Sequence, residues 1–444
     1  MAAQSSSVGR DQALKAALDL LRRGHVDQAV AVYRRILEAI PDDVDAVHYL
    51  GLALFQKGRH DEGIALVTRA IDLAPDYVDA QNNLGNMLVE RGRPAEAEAR
   101  YLQVLTQHPD HPDARVNLGA LLARRNERAA AETEFRRVLA AQPRHAEAIV
   151  NLGLLLQHTD RRGEALAMFE QALALRPHEG ASFRRLGTLL QSLGRIADAA
   201  AIFARWLAVE PDNAAARHLL ASCSGQDVPV RAADAFVQDT FDAFADSFDQ
   251  VLDKLQYRAP ALILDAVAQT VGAATASLDV LDAGAGTGWC GPSLRPYARR
   301  LMGVDLSPKM LEKASQRGVY DALITAELVA YMRANVDAFD LIISADTLVY
   351  FGALDEALSA AAASLRAAGH LIFTVERAND EPVPPFGYRL NPHGRYSHTE
   401  DYLRRTLSDS GLTLQSLSAV HLRLQSGVPV MGMLVIAHRP SATS

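Results

Sequence analysis

Cysteine is nearly absent: Cys223 and Cys290 are the two in 444 residues. That excludes a disulfide framework and a cysteine-built zinc centre, and no metal is expected. A basic excess is missing as well, with 45 Lys and Arg against 53 Asp and Glu and a net charge of −8. A nucleic-acid binder needs a cationic footprint to displace counterions, so no nucleic-acid partner is expected. No run approaches the roughly 18 uncharged apolar residues that cross a bilayer, so no membrane span is expected. Residues Met1 to Arg10 are Ser-rich without an apolar core and do not read as a signal peptide. With so little cysteine, the expected compartment is the cytoplasm. Aromatics make up only 6%, whereas hydrophobic residues reach 49% and charged residues 22%. This is a globular composition, and its wealth of Ala, Leu and Arg favours helices.

What is present is periodic. Prolines stand at 41, 75, 109, 143, 177 and 211, and glycines at 51, 85, 119, 153 and 187, every step being 34 residues. A leucine precedes each of those glycines, and a bulky residue recurs at Tyr33, Val67, Tyr101, Phe135, Phe169 and Phe203. Residues 10–213 therefore divide into six 34-residue units. Each unit predicts two helices. In the third, Val78 to Glu90 carries apolar residues at helical spacing, Arg91-Gly92-Arg93 turns the chain, and Pro109 ends the second helix. The periodic glycine removes a side chain where the two helices must approach closely, and the Ala at 97, 131, 165 and 199 suits the same contact. One such pair cannot bury its apolar face, so the units must stack. Ala214 to Ala221 predicts a capping helix, which closes an all-α solenoid over 10–222.

This pattern resembles the tetratricopeptide repeat, whose arrays commonly bind peptides or protein segments on a concave face. The resemblance implies a protein or peptide partner. Asn83, Asn117 and Asn151 share one repeat position and resemble the asparagine ladder by which some arrays hold an extended backbone. An amide donates and accepts at once, which suits main-chain recognition. The alternative is that these residues face solvent or support the turn, and Tyr49 and Arg185 interrupt the series at its ends.

Residues 223–230 break the 34-residue phase with turn formers and read as a linker to a second domain over 231–440. There, an amphipathic stretch from Ala232 to Leu255 is followed by apolar β-type runs alternating with helical segments. That grammar predicts an α/β domain with a parallel sheet. Leu278 to Asp282 forms a strand that ends in the loop Gly284-Ala285-Gly286-Thr287-Gly288. Glycines there let a ligand approach the backbone at a strand end. A second strand ends at Asp305, whose carboxylate can accept both hydroxyls of a ribose. Ser307-Pro308 then reads as the cap and first residue of a helix.

Two ligand classes fit such a site. Gly286, Gly288 and Gly291 satisfy the Gly-x-Gly-x-x-Gly of dinucleotide binders, a weak signal when alone. Against it, Asp282 would bring negative charge close to a pyrophosphate, but the same charge suits the ammonium and sulfonium of S-adenosylmethionine. Asp282-Ala283-Gly284-Ala285-Gly286-Thr287-Gly288 together with Gly303-Val304-Asp305-Leu306-Ser307 resembles the cofactor motifs of class I S-adenosylmethionine-dependent methyltransferases. That resemblance implies a Rossmann-like, seven-stranded sheet and S-adenosylmethionine as cofactor. It assigns cofactor contacts to Asp282, Gly284, Ala285, Gly286, Gly288, Asp305, Leu306 and Met310. Glu327 and Leu328 fall where the adenine is held, and Asp346 falls at the end of the fourth strand. Phe248 and Tyr257 either cover the cofactor or pack in the core.

The whole chain resembles a narrower group, bacterial methyltransferases carrying tetratricopeptide repeats. The matching segments are Phe241 to Asp249, Tyr257-Arg258-Ala259-Pro260 and Gly394 to Thr399. Strand five is followed by Glu381 to Tyr388 and then by Asn391, His393, Arg395, Tyr396 and His398, an insertion on the substrate side. His398 is a candidate general base, although Ser397-His398-Thr399-Glu400 also reads as a helix cap. Arg395 is a candidate for holding an acceptor carboxylate or phosphate, and Tyr350 lies at the substrate end of strand four. Methyl transfer can proceed without a base, since placement of the acceptor in line does most of the work. The expected function is methyl transfer to a small-molecule, carrier-bound or protein acceptor, with the array recruiting a partner or substrate. The alternative is an interaction scaffold with a regulatory cofactor-binding domain.

Overall fold

The computed structural model describes residues 2–159, 161–378, 385–425 and 427–441, with residues 2–8 in backbone only. Two compact units divide the chain, one running to Ser182 and the other from Phe183 onward. Glu381 to Pro384, the start of the predicted Pro-rich insertion, lie outside the described residues.

The first unit contains five helical hairpins. They are Ala2–Arg22 with Val26–Ala39, Val44–Gln56 with His60–Leu73, Val78–Glu90 with Pro94–Gln107, Pro112–Arg124 with Arg128–Ala141, and Ala146–Gln157 with Arg162–Leu175. Two periodic features of the sequence meet inside each of the second to fifth hairpins. A Cβ placed at Gly119 would stand 2.6 Å from the Phe135 ring, and one at Gly153 would stand 2.7 Å from the Phe169 ring. The glycine therefore exists to admit the recurring bulky residue of the partner helix. Ala97, Ala131 and Ala165 are fully buried, as the same close approach requires. Gly119→Ala is expected to cost about 1–3 kcal/mol, the usual range for an extra carbon in a packed contact. Gly163→Ala, with open space around its added carbon, should be neutral or slightly stabilising. Denaturant unfolding of the two variants checks this contrast.

The second unit opens within the first helix of a sixth hairpin, Gly180–Ser192 with Ile196–Val209, followed by the helix Ala214–Ser224. After these come the helices Asp234–Phe244, Phe248–Lys254 and Ala259–Val271, and then the sheet. Its strands are β1 (Leu278–Ala283), β2 (Ala298–Asp305), β3 (Ala322–Thr325), β4 (Phe339–Ser344), β5 (Leu365–Arg377), β6 (Tyr388–Leu390), β7 (Tyr396–His398), β8 (Thr413–Gln425) and β9 (Val428–His438). The order is β3-β2-β1-β4-β5-β7-β6, with β9 antiparallel to β5 and β8 beyond it. Strands β1 to β5 pair in parallel. Alternate residues feed two cores. Leu281, Ile342 and Phe373 enter one, and Val280, Leu341, Ile343 and Ile372 enter the other. Both faces of the sheet are covered, as a parallel sheet requires.

The sheet has nine strands, which corrects the expected seven. The segment after β5, expected as an insertion on the substrate side, turns at Asn391-Pro392-His393-Gly394. That tetrapeptide is the turn between β6 and β7, which pair antiparallel through Tyr388–His398 and Leu390–Tyr396. Tyr396 and His398 are fully buried, so the aromatic residues are core-facing strand positions.

Candidate functional site

Strand order reverses between β1 and β4, and a ligand crevice in such a sheet opens at the carboxyl ends of the strands at that point. A cavity of about 170 Å³ lies there. Six of the eleven residues expected to hold the cofactor line it: Gly284, Asp305, Leu306, Glu327, Leu328 and Asp346. Phe248 and Tyr257 line it as well, together with Phe241 and Phe244 from the leading helices. Those helices are fastened over the crevice. The Ser307 hydroxyl donates to Asp242 (2.5 Å), the Thr287 hydroxyl donates to Asp249 (2.6 Å), and Arg317 pairs with Asp249 (2.9 Å).

The loop after β1 is built for close approach. Gly284, Gly286 and Gly288 all have positive φ. A Cβ at Gly284 would collide with the Thr347 side chain. The Gly286 N–H donates to Asp305 Oδ2 (2.9 Å) and the Ser307 N–H to Asp305 Oδ1 (2.9 Å). Two backbone donors thus orient the carboxylate, and each oxygen keeps lone-pair capacity toward the cavity. Burial still raises Asp305 above the usual carboxylate range. Ser307 caps the helix Pro308–Ser315 by accepting from the Met310 N–H (3.1 Å). Met310 itself is fully buried and does not line the cavity.

Asp282, Ala285, Gly286 and Gly288 do not line it either. The buried Asp282 carboxylate accepts from the Tyr320 hydroxyl (2.7 Å). Burial raises its pKa to about 7, helped by the nearby charge of Asp305. A carboxyl protonated in the folded state and ionised in the unfolded state loses stability as pH rises from its ordinary value to its folded one. Asp282→Asn removes that penalty while keeping an acceptor for Tyr320. Its melting temperature should exceed the parent's by several degrees at pH 8, with most of the gain gone at pH 5. Thermal melts across that range check the sign.

Glu327 accepts from the Val329 and Ala330 N–H groups (3.1 and 2.7 Å) as N-cap of the helix Leu328–Ala334, and it also accepts from Arg231 (3.1 Å). Asp346 has φ 57° and receives Arg423 Nη1 on Oδ2 (2.5 Å), while its buried Oδ1 has no partner among the described residues. Burial raises Asp346, against the pull of Arg423. Arg423, 2% exposed, also pairs with Glu376. Burial alone would raise Glu376, but Arg395, His393 and Arg423 around it hold it below the usual range. Sequence reasoning passed over Arg423 because β8 reads as an ordinary alternating strand. Flanked by Leu422 and Leu424, Arg423 falls on the opposite, polar-reading face of an alternating strand, so no local signal marked it.

Of the three reactive candidates, Tyr350 and Arg395 line the cavity and His398 does not. The His398 ring is fully buried, donates from Nε2 to the Gly352 carbonyl (2.9 Å) and stacks on Tyr402. Burial lowers it to about 4, which leaves it neutral and enclosed. Thr399 caps the helix Glu400–Asp409, in agreement with the capping alternative. The β6–β7 turn that carries Arg395 is gripped by the sixth hairpin and its capping helix. Gln191 and Ser222 donate to the Pro392 carbonyl (2.5 and 3.0 Å), and His218 Nε2 donates to the Gly394 carbonyl (2.8 Å).

In the first unit, two of the three ladder asparagines spend their donors inside the array. Asn83 Nδ2 donates to His48 Nε2 (3.1 Å) and Asn117 Nδ2 to Asn82 Oδ1 (2.9 Å), the same 35-residue link between successive repeats. His48 continues to the Tyr77 hydroxyl (3.1 Å), which donates to Asp45 (3.0 Å). The residue 35 before Asn151 is Val116, which offers no acceptor, and Asn151 makes no side-chain hydrogen bond among the described residues.

Comparison with known proteins agrees with both halves. Tetratricopeptide-repeat families match residues 14–78 and, separately, 54–104, 88–152 and 159–223. A methyltransferase-domain family matches residues 254–417. Human methyltransferase-like protein 27 is 40% identical over 84 residues, 19% of this chain, and the chain spans only 34% of that protein. Among solved structures, the type IV pilus biogenesis factor PilW has 23% identity, with 46% of this chain and 94% of that chain covered and a TM-score of 0.41. The pilF protein of Pseudomonas aeruginosa has 20% identity, with 47% and 94% covered and a TM-score of 0.40. The chain thus carries tetratricopeptide repeats followed by a methyltransferase domain.

Proposed function

We propose that the second unit transfers a methyl group from S-adenosylmethionine and that the repeats recruit a protein or peptide partner or the acceptor itself. The observation that carries this reading is the cavity at the β1–β4 switch point, with an oriented Asp305 carboxylate and an orphaned Asp346 oxygen on its wall. The residues present fit the group. Asp305 would accept the two ribose hydroxyls, Leu306, Glu327 and Leu328 would flank the adenine, and the bare Gly284 would admit the methionyl chain. The unpartnered Asp346 Oδ1 suits a cationic centre, because a buried carboxylate oxygen costs free energy until a donor or cation meets it.

When bound, S-adenosylmethionine supplies a methyl group on a sulfonium that is already a good leaving group. The chain's own contribution is placement and exclusion of water. Phe241, Phe244 and Phe248 roof the crevice, and the Asp242–Ser307 and Asp249–Thr287 bonds hold that roof down. Fixed alignment of two reactants is worth several kcal/mol of barrier. Burial raises Tyr350, so its hydroxyl keeps its proton at neutral pH and acts as a donor. Among the described residues, no histidine lines the cavity. An acceptor with a lone pair available near neutrality needs no base, and one that must lose a proton has the Asp346 carboxylate or solvent to take it.

Labelled-methyl transfer into a cell extract, sorted into protein and small-molecule fractions, tests the reading and identifies the acceptor. Chain-dependent incorporation into either fraction supports it. No incorporation by protein that binds the donor would favour a regulatory cofactor-binding scaffold.

A further inference from the structure

The cavity at the strand ends measures about 170 Å³. Small-molecule sites usually enclose about 300–1,000 Å³, so a bound donor leaves no room beside it and an acceptor must stand outside. A second space meets that need. A cleft of about 440 Å³ lies between the sixth hairpin, the end of β5, the β6–β7 pair and the start of β9. One layer of side chains separates the two. Arg395 and Arg423 line the cavity, whereas their partners Glu376 and Gln425 line the cleft. The seam in that wall is the hydrogen bond from Arg395 Nη2 to Gln425 Oε1 (3.2 Å), which rotation of either side chain opens.

Unspent polar groups face the cleft. The strand register sets Glu376, Ser397 and Arg389 side by side on one face of the sheet. Ser397 is 3% exposed, and its hydroxyl has no partner among the described residues. A buried hydroxyl left unpaired costs free energy that a ligand atom recovers. Arg377 lines the cleft from an exposed position, and its side chain makes no hydrogen bond or ion pair among the described residues. Glu376 adds no free negative charge, because Arg395 and Arg423 both pair with it. The wall supplied by β9, Pro429, Val430 and Met431, is apolar.

We propose that this cleft is the acceptor site and that the acceptor is a small amphipathic organic acid. Arg377 takes its carboxylate or phosphate, because an unpaired guanidinium is the side chain best matched to either. The Ser397 hydroxyl takes a polar group deeper in, and the apolar body lies along Pro429, Val430 and Met431. The reacting atom points at the Arg395 seam. Its lone pair bonds the methyl carbon, the carbon–sulfur electron pair stays on sulfur, and any proton released goes to Asp346 or solvent. Gln191 and Ser192 also line the cleft, so the last repeat hairpin builds part of the acceptor site in addition to gripping the β6–β7 turn. The inference rests on the methyltransferase reading and deepens it by naming the acceptor's chemical class.

The experiment uses the full chain and its Arg377→Gln and Ser192→Trp variants, the second filling the cleft from the repeat side at an exposed position. Each protein is given methyl-labelled S-adenosylmethionine with the small-molecule and protein fractions of a cell extract. Labelled products are sorted by anion exchange before and after phosphatase. The label is expected in acidic small molecules. Loss of their charge under phosphatase identifies a phosphate, and retention identifies a carboxylate. Both variants should raise the extract concentration for half-maximal labelling at least about tenfold, with donor affinity within about twofold of the parent and equal melting temperatures. A general loss of structure would not give that split. Should Ser192→Trp fail to fold, Arg377→Gln carries the test alone. Label confined to protein or to neutral or cationic products, or parental labelling by either folded variant, would overturn the acceptor site and leave the methyltransferase reading standing. No label in any fraction from a chain that binds the donor would sink that reading, and the acceptor site with it.

Discussion

Asp305→Ala should weaken S-adenosylmethionine binding by about 10² to 10⁴-fold. Hydrogen bonds to a charged group contribute about 1.5–3 kcal/mol each, and the carboxylate is placed to accept two ribose hydroxyls. Since about 1.4 kcal/mol is a factor of ten, two such bonds set the expected range. The same oxygens receive the Gly286 and Ser307 N–H groups, so the alanine variant also frees the loop after β1. Asp305→Asn separates the two effects. Its amide keeps one acceptor and presents its nitrogen to a backbone donor, so it should lose affinity about tenfold or more with a smaller drop in melting temperature. Calorimetric titration of both variants reads the difference. An unchanged affinity in Asp305→Ala would remove the ribose from this edge of the sheet.

The second large effect concerns where the chain can be cut. A protein beginning at Pro177 retains the whole second compact unit and should keep the parent's donor affinity within about twofold. A protein beginning at Gln226 follows the sequence boundary between array and enzyme but loses Gln191, His218 and Ser222. Three hydrogen bonds, one of them buried and two part-buried, at about 1 kcal/mol each imply a loss of about 3 kcal/mol. At roughly 2–4 °C per kcal/mol, that lowers the melting temperature by about 6–12 °C. Stripping His218 from the rings of Phe236 and Tyr396 adds to it. Melting curves and donor titrations of the two proteins decide the matter. Equal behaviour would mean that the sixth hairpin is only a repeat and not part of the enzyme's frame.

That boundary shows where sequence reasoning stops. The repeats were legible because a 34-residue period places five features in phase, and the structure adds why: each glycine faces the bulky residue of its partner helix. The edge proposed for the cofactor was local in the sequence: a strand, a glycine loop and a second strand ending in Asp305 form one motif, and the structure has both strands. The linker over 223–230 breaks the 34-residue phase, yet compactness follows contacts, and Gln191 meets Pro392 across 201 residues. The same limit hid Arg423, whose partners Asp346 and Glu376 lie 77 and 47 residues away. The extra strands β6 and β7 were missed because three-residue strands are too short for a period-two pattern to show. The asparagine positions were readable, but their donors' use depends on the 35-residue register, which brings His48 and Asn82 to Asn83 and Asn117.

The most direct measurement is calorimetric titration of the intact protein with S-adenosylmethionine. The account predicts saturable binding at one site per chain, complete below millimolar donor and competed by its demethylated product. Absence of any saturable heat up to millimolar donor, from a chain whose melting curve shows it folded, would contradict it.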